Sequence, residues 1–192
     1  MENKISCQRN LFNIPNDIVY LNTAYISPLS LKVENAINEG CNLETQPWRI
    51  DPEFHFFHQI KETKLIFSNL FNVSYQNVSL IPSASYGIST AANNIKLTKT
   101  KNKILILKDQ FPSNVYPWME LCRRQEGAMQ IIDKSNTITL TEELIKKIDE
   151  RVAVVAIPNI RWTDGYMIDL NEISVKCKKF NVKLVLDLTQ SA

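Results

Sequence analysis

The sequence predicts an α/β fold: a three-layer sandwich built on a mostly parallel β-sheet. Two observations carry this. Ile104-Leu105-Ile106-Leu107 and Val152-Ala153-Val154-Val155-Ala156-Ile157 are unbroken apolar runs, as required of strands covered on both faces. Segments with helical character alternate with these and with weaker strand-like runs, the order that makes parallel strands with helices packed on either side.

In chain order, a helix is expected within residues 1–50, and a long one over Pro52–Phe71, with Phe56, Ile60, Leu65 and Phe67 among its apolar positions. Val78–Ile81 is a short, weak strand candidate, followed directly by a helix over Tyr86–Ile95. The Ile104–Leu107 strand leads into a helix over Val115–Gln125, then a strand at Met129–Ile132. Thr139 followed by Glu142 has capping-box spacing and opens a helix over Thr141–Asp149. The Val152–Ile157 strand follows. Asp169 and Glu172 repeat the capping pattern for a helix over Asp169–Phe180, which Asn181 can terminate. Leu184–Leu186 is the last strand. Two regions are expected, residues 1–50 and 51–192.

With 192 residues, 44% of them hydrophobic, the chain has enough apolar material for an ordinary domain core. Its net charge of +2, with acids and bases interspersed, offers no basic face for nucleic acid and no polybasic membrane patch. The four lysines between Lys96 and Lys103 read as a solvated loop. Met1–Asn10 is polar and lacks the apolar centre of a signal peptide. Cys7, Cys41, Cys122 and Cys177 are scattered without paired spacing, which suits a reducing, cytoplasmic setting.

Chemistry collects where strands end. After Ile81 come Pro82-Ser83-Ala84-Ser85-Tyr86-Gly87, opening a helix whose free N–H groups and nearby hydroxyls make an anion site. Ser83 or Ser85 also reads as a plain N-cap. After Leu107, Phe111 is an aromatic in a polar loop, able to lie on a flat ring or to staple the following helix. Asn159, after Ile157 and Pro158, offers a donor and an acceptor, and is equally a turn residue. Asp187 follows a buried run and needs a cationic partner, a ligand's ring nitrogen or an Arg of the fold; Gln190 lies three residues on. Together these tips ask for a phosphate, a flat ring, a ring nitrogen that wants a proton and a ring hydroxyl, the features of pyridoxal phosphate.

The order and setting of these residues resemble the class V aminotransferase family of fold-type I pyridoxal phosphate enzymes, which includes cysteine desulfurases, selenocysteine lyases and kynureninase. The resemblance begins near Tyr20-Leu21-Asn22-Thr23-Ala24 and is strongest at Ser83–Gly87, Phe111–Trp118, Pro158–Gly165 and Asp187–Gln190. It implies that Ser85, with the backbone around Ala84, holds the cofactor phosphate and that Phe111 stacks on the pyridine ring. It implies further that Asp187 pairs with the pyridine nitrogen, while Asn159 and Gln190 contact the ring hydroxyl. Residues 51–192 would then be an incomplete cofactor-binding large domain.

Two departures from the family pattern carry consequences. Desulfurases usually place a His where Phe111 stands; a Phe stacks but moves no protons, which leaves transaminase, lyase or epimerase chemistry open. The family's Schiff-base lysine lies beyond the Asp-x-x-Gln signature, and Lys176, Lys178, Lys179 and Lys183 all precede it. The resemblance therefore implies a truncated, catalytically incomplete chain. Its partners would be an amino-acid substrate in the complete family, and a second copy or a complementary chain; alternatively it is a non-catalytic remnant or module that pairs with a separate carboxyl-terminal half or a homologous enzyme. It also leaves Val78–Ile81 without a sheet neighbour and the Leu184–Leu186 edge open, from which low stability is expected.

Other constellations are weaker. His55 and His58 share a helix face but have no third ligand nearby, and Phe54, Phe56 and Phe57 around them point to packing. Arg123-Arg124 suits a helix end. Four glycines cannot assemble a phosphate-cradling loop. Trp162-Thr163-Asp164-Gly165 reads as a turn carrying an aromatic, near the cofactor if the resemblance holds.

Overall fold

The computed structural model describes residues 5–191. The chain divides into two compact units, Met1–Leu80 and Ile81–Ala192.

The first unit is helical. Helix α1, Leu31–Glu44, starts where the Ser30 hydroxyl accepts from the Val33 N–H at 3.4 Å. A π-helical turn, Glu53–His58, runs directly into α2, Gln59–Phe71, so the long helix expected over Pro52–Phe71 exists with a widened first third. Phe54 packs edge-on to His55 and stacks on His58, which occupies both imidazoles with aromatic neighbours. Asn72, in the left-handed conformation at φ 50°, ends α2, a role its short polar side chain tolerates.

The second unit is the predicted sandwich. Helix α3, Ala84–Asn93, precedes β1, Lys103–Leu107; α4, Tyr116–Gln125, leads to β2, Ala128–Ile132. Helix α5, Leu140–Lys147, leads to β3, Val152–Pro158, and α6, Leu170–Lys179, to β4, Lys183–Asp187. The sheet is parallel throughout, in the order β2-β1-β3-β4. Side chains alternate between its faces. Leu105, Leu107, Val155 and Ile157 pack with Leu140 and Leu144 of α5 and Ile173 and Cys177 of α6. Ile104, Ile106, Val154 and Ala156 pack with Ile88 of α3 and Trp118 and Leu121 of α4. A register shift between Lys103 and Ile104 leaves Ala153 unpaired and sets both Ala153 and Val154 on the second face.

Local signals work as the residues dictate. Thr139 and Glu142 form a reciprocal capping box, and the Asp169 carboxylate accepts from the N–H groups of Asn171 and Glu172. Asn181, at φ 51°, follows α6. Val78–Ile81, a weak strand candidate by composition, is not a strand, in keeping with the missing sheet neighbour that the resemblance implies. Val78 is buried, but the segment pairs with no strand among the described residues, and an extended run without a neighbour has no ladder to form. The lysine-rich loop is also less idle than expected. Lys101 Nζ donates to the carbonyls of Phe180 and Asn181 at 2.6 and 2.7 Å, satisfying the carboxyl end of α6.

Candidate functional site

Because all four strands run the same way, their carboxyl ends share one edge of the sheet. From β1 the chain passes to α4 on one face; from the adjacent β3 it passes to α6 on the other. The loops leaving β1 and β3 therefore part company, opening the crevice in which ligands of such sheets bind.

At the start of α3, Ser83 takes the capping role: its hydroxyl accepts from the Tyr86 N–H at 3.2 Å. The N–H groups of Ala84 and Ser85, one turn too early in the helix, have no intrahelical acceptor. Ser85 is thus released from capping, and its hydroxyl meets that of Ser113 at 3.0 Å. Ser113 belongs to a short turn, Pro112–Asn114, directly after Phe111. The next residue, Asn114, is fully buried and accepts the Trp118 indole N–H at 2.8 Å.

The loop after β1 is held across the crevice. Asp109 has φ 55°, a left-handed conformation that an Asp tolerates. Its carbonyl accepts the Trp162 indole N–H at 2.9 Å. Gln110 reaches the Ala156 carbonyl of β3 at 3.5 Å. Phe111 meets Trp162 edge to face, ring centroids 5.6 Å apart and planes at 84°, with 38% of the Phe111 surface still open.

Asp187 is in register with Pro158, so Asn159 and Asp187 leave neighbouring strand ends. Asp187 is half-buried, and Thr189 supplies both of its hydrogen bonds to one oxygen: the N–H at 3.2 Å and the hydroxyl at 2.6 Å, each to Oδ1. Among the described residues, Oδ2 accepts no hydrogen bond and no Lys or Arg pairs with the carboxylate.

Asn159 behaves differently from the rest. Its amide nitrogen donates to the Ile168 carbonyl at 2.9 Å, and the residue lines a cavity of about 570 Å³ with Thr139, Thr141, Tyr166 and Asp169. That cavity includes none of Ser85, Phe111, Asp187 and Gln190, and the two helix N-termini facing it are already capped by their own side chains. Gln190 is half-buried three residues beyond Asp187. The structure thus joins Ser85 to the Phe111 loop and sets Asn159 beside Asp187 along the edge, while the Asn159 amide nitrogen is committed to the Ile168 carbonyl.

Two participants were not singled out from sequence: Ser113, inside the Phe111–Trp118 segment, and Asp109, whose type favours a left-handed turn. A cation also gathers nearby, Lys108, whose ammonium pairs with Asp133 at 2.7 Å. That hydrogen bond raises the lysine above its ordinary pKa and lowers the aspartate.

A mixed α/β unit with this edge is shared with enzymes of known family. The class V aminotransferase family model matches residues 42–192, and the chain belongs to that family. A probable cysteine desulfurase of Borreliella burgdorferi is 28% identical over 139 residues, covering 70% of this chain and 33% of that protein. A kynureninase of Shouchella clausii is 21% identical over 196 residues, covering 95% of this chain and 45% of that protein. Among solved structures, a lysine-to-alanine mutant of C-DES, with glycine covalently linked to its pyridoxal phosphate cofactor, superposes with a TM-score of 0.83 at 18% identity. The superposition covers 97% of this chain and 51% of that one. The chain spans a third to about half of the length of these proteins. No helix among the described residues is long and apolar enough to cross a membrane.

Proposed function

We propose that this chain is the amino-terminal part of a class V aminotransferase-like, pyridoxal-phosphate-dependent protein acting on an amino acid, and that the carboxyl edge of its sheet receives the cofactor. The observation that carries the reading is Asp187, a half-buried carboxylate at a strand tip whose Oδ2 has no hydrogen bond among the described residues and which no cation among them neutralises. Such a group calls for a positively charged donor, because desolvating a carboxylate without one is costly. A protonated pyridine nitrogen is such a donor, and a charged hydrogen bond there is worth about 1.5–3 kcal/mol.

The rest of the donor set fits the same group. The Ala84 and Ser85 N–H groups and the Ser85 hydroxyl would hold the phosphate, Phe111 its ring face, and Gln190 and Asn159 the ring hydroxyl. For Asn159 this uses the amide oxygen, since the nitrogen serves Ile168. When bound, pyridoxal phosphate supplies an electron sink for bonds to the substrate α-carbon. Asp187 keeps the ring nitrogen protonated for that purpose; Phe111 orients the ring but carries no proton, which favours transaminase, lyase or epimerase chemistry over a His-dependent branch.

No lysine of these residues stands at the family's catalytic position, so binding without turnover is expected of residues 1–192 alone. We place the protein in the cytoplasm, where its four free thiols would stay reduced. A second reading, a non-catalytic module that pairs with a complementary chain or a second copy, draws support from the apolar surface of the first unit. Trp48, Phe57 and Leu70 are 79%, 64% and 75% exposed there.

Titration with pyridoxal phosphate, followed by absorbance and equilibrium dialysis, tests the proposal. Saturable binding should weaken roughly tenfold or more in Asp187→Asn, the loss of one charged hydrogen bond. No saturable binding by the parent chain, or equal affinity in D187N, sinks it.

A further inference from the structure

We infer that Trp162 is a positioning residue: it spans the crevice between the β1 and β3 loops and fixes the plane in which the Phe111 ring meets a ligand. The inference rests on the reading of Phe111 as a ring-stacking residue.

Three consecutive residues of the β1 loop are tied to the β3 side. The Asp109 carbonyl accepts the indole N–H at 2.9 Å, across 53 residues of chain. The Gln110 amide reaches the Ala156 carbonyl at 3.5 Å, at the outer limit of a hydrogen bond. The Phe111 ring packs edge to face with the indole. Two of the three ties end on Trp162, and they are of different kinds, one directional and one between ring planes. A hydrogen bond alone leaves the Phe111 side chain free to turn about its own torsions; a ring contact alone leaves the backbone at Asp109 free to slide. Together they determine both where the ring is and how it is tilted.

The left-handed backbone at Asp109 strengthens the case. A non-glycine residue at φ 55° persists when its surroundings hold it, and the indole N–H on its own carbonyl is such a hold. Because the β1 and β3 loops lead to opposite faces of the sheet, no backbone ladder joins them beyond the strand ends. A side-chain bridge is what remains to keep the crevice at a fixed width.

The test separates the two contacts. Trp162→Phe keeps an aromatic partner and loses the N–H; Trp162→Ala loses both. In the ligand-free protein with phenylalanine labelled for NMR, and Phe111 assigned through Phe111→Leu, the Phe111 ring resonances should show the indole ring-current shift. W162A should abolish that shift, and W162F should reduce it.

With pyridoxal phosphate, W162A should bind roughly three- to tenfold more weakly, the range of an aromatic pair, and lose the induced visible circular dichroism of the bound ring. Inorganic phosphate affinity should be unchanged. W162F should recover most of the dichroism. Unaltered Phe111 resonances in W162A, or equal loss of phosphate and pyridoxal phosphate binding, overturns the inference. If the parent chain binds no pyridoxal phosphate, the proposed function fails, while the Phe111 resonances still decide the role of Trp162. If W162A does not fold, W162F decides it: resonances and dichroism identical to the parent's overturn the inference, and intermediate ones support it.

Discussion

Ser85 and Ser113 meet hydroxyl to hydroxyl at 3.0 Å, joining the first turn of α3 to the turn that follows Phe111. This single contact links the amino-terminal end of a helix to the loop that carries the Phe111 ring. It exists because Ser83, two residues earlier, has already taken the capping work.

The serine pair should separate phosphate affinity from ring affinity. Ser85→Ala is expected to weaken pyridoxal phosphate binding about tenfold, as one hydrogen bond to a charged group. Ser113→Ala should do so by a smaller factor, because its hydroxyl orients that of Ser85. Dialysis against pyridoxal phosphate and against pyridoxal measures both. Weakening of pyridoxal binding to the same extent would show that the pair is not a phosphate contact.

Asn114 should prove important for stability rather than for ligand binding. It is fully buried, its Oδ1 accepts the indole N–H of the equally buried Trp118, and its Nδ2 has no protein partner. Asn114→Ala strands the indole donor and should cost about 1–3 kcal/mol in urea unfolding. The double variant with Trp118→Phe should recover part of that cost, since no donor is then left unpaired. An additive loss in the double variant would contradict this account.

The start of α5 carries a defined acid sensitivity. The backbone N–H of Thr139, and then its hydroxyl, donate to the Glu142 carboxylate and hold it below the ordinary glutamate value of 4.5. A carboxyl with a depressed folded pKa stabilises the fold fully above its unfolded value. That contribution disappears as pH falls from 4.5 through the lower folded value. Melting curves of the parent and Glu142→Gln should therefore differ near neutrality and converge in acid. A difference that grows as pH falls would reverse the argument. Thr139→Ala should cost about 1 kcal/mol by removing the cap.

The chain in isolation should be marginally stable and prone to self-association. Helix α1 buries none of its residues and α2 only Ser68, while β2 and β4 are open edges of the sheet. Exposed apolar helices and unpaired strands favour association. Binding of a hydrophobic dye in native buffer, and light scattering that rises with concentration, should report it. A sharp cooperative melt with a high midpoint and no dye binding would rule it out.

Much of the second unit was legible from residues alone, because its signals are local. Apolar runs flanked by polar turns specify β1 and β3, the Thr139–Glu142 and Asp169–Glu172 spacings specify where α5 and α6 begin, and a short polar side chain at Asn181 specifies where α6 stops. The resemblance that placed Ser85, Phe111, Asn159, Asp187 and Gln190 at strand and helix ends also rested on short contiguous stretches.

What tertiary structure decided was everything that depends on partners distant in sequence. Val78–Ile81 has strand-like composition, yet strandhood belongs to a pair, and no strand among the described residues pairs with it. Ser83 and Ser85 are alike in type; the geometry of one helix end gives the cap to Ser83 and turns the Ser85 hydroxyl to Ser113. Lys101 read as solvated until the end of α6, 80 residues on, gave its ammonium two carbonyls. The indole of Trp162 acquired a role only when folding brought it to Asp109 and Phe111. Local preference lies within a few residues and can be read there, whereas hydrogen bonds and ring contacts across a crevice are set by how strands stack and which way their loops depart.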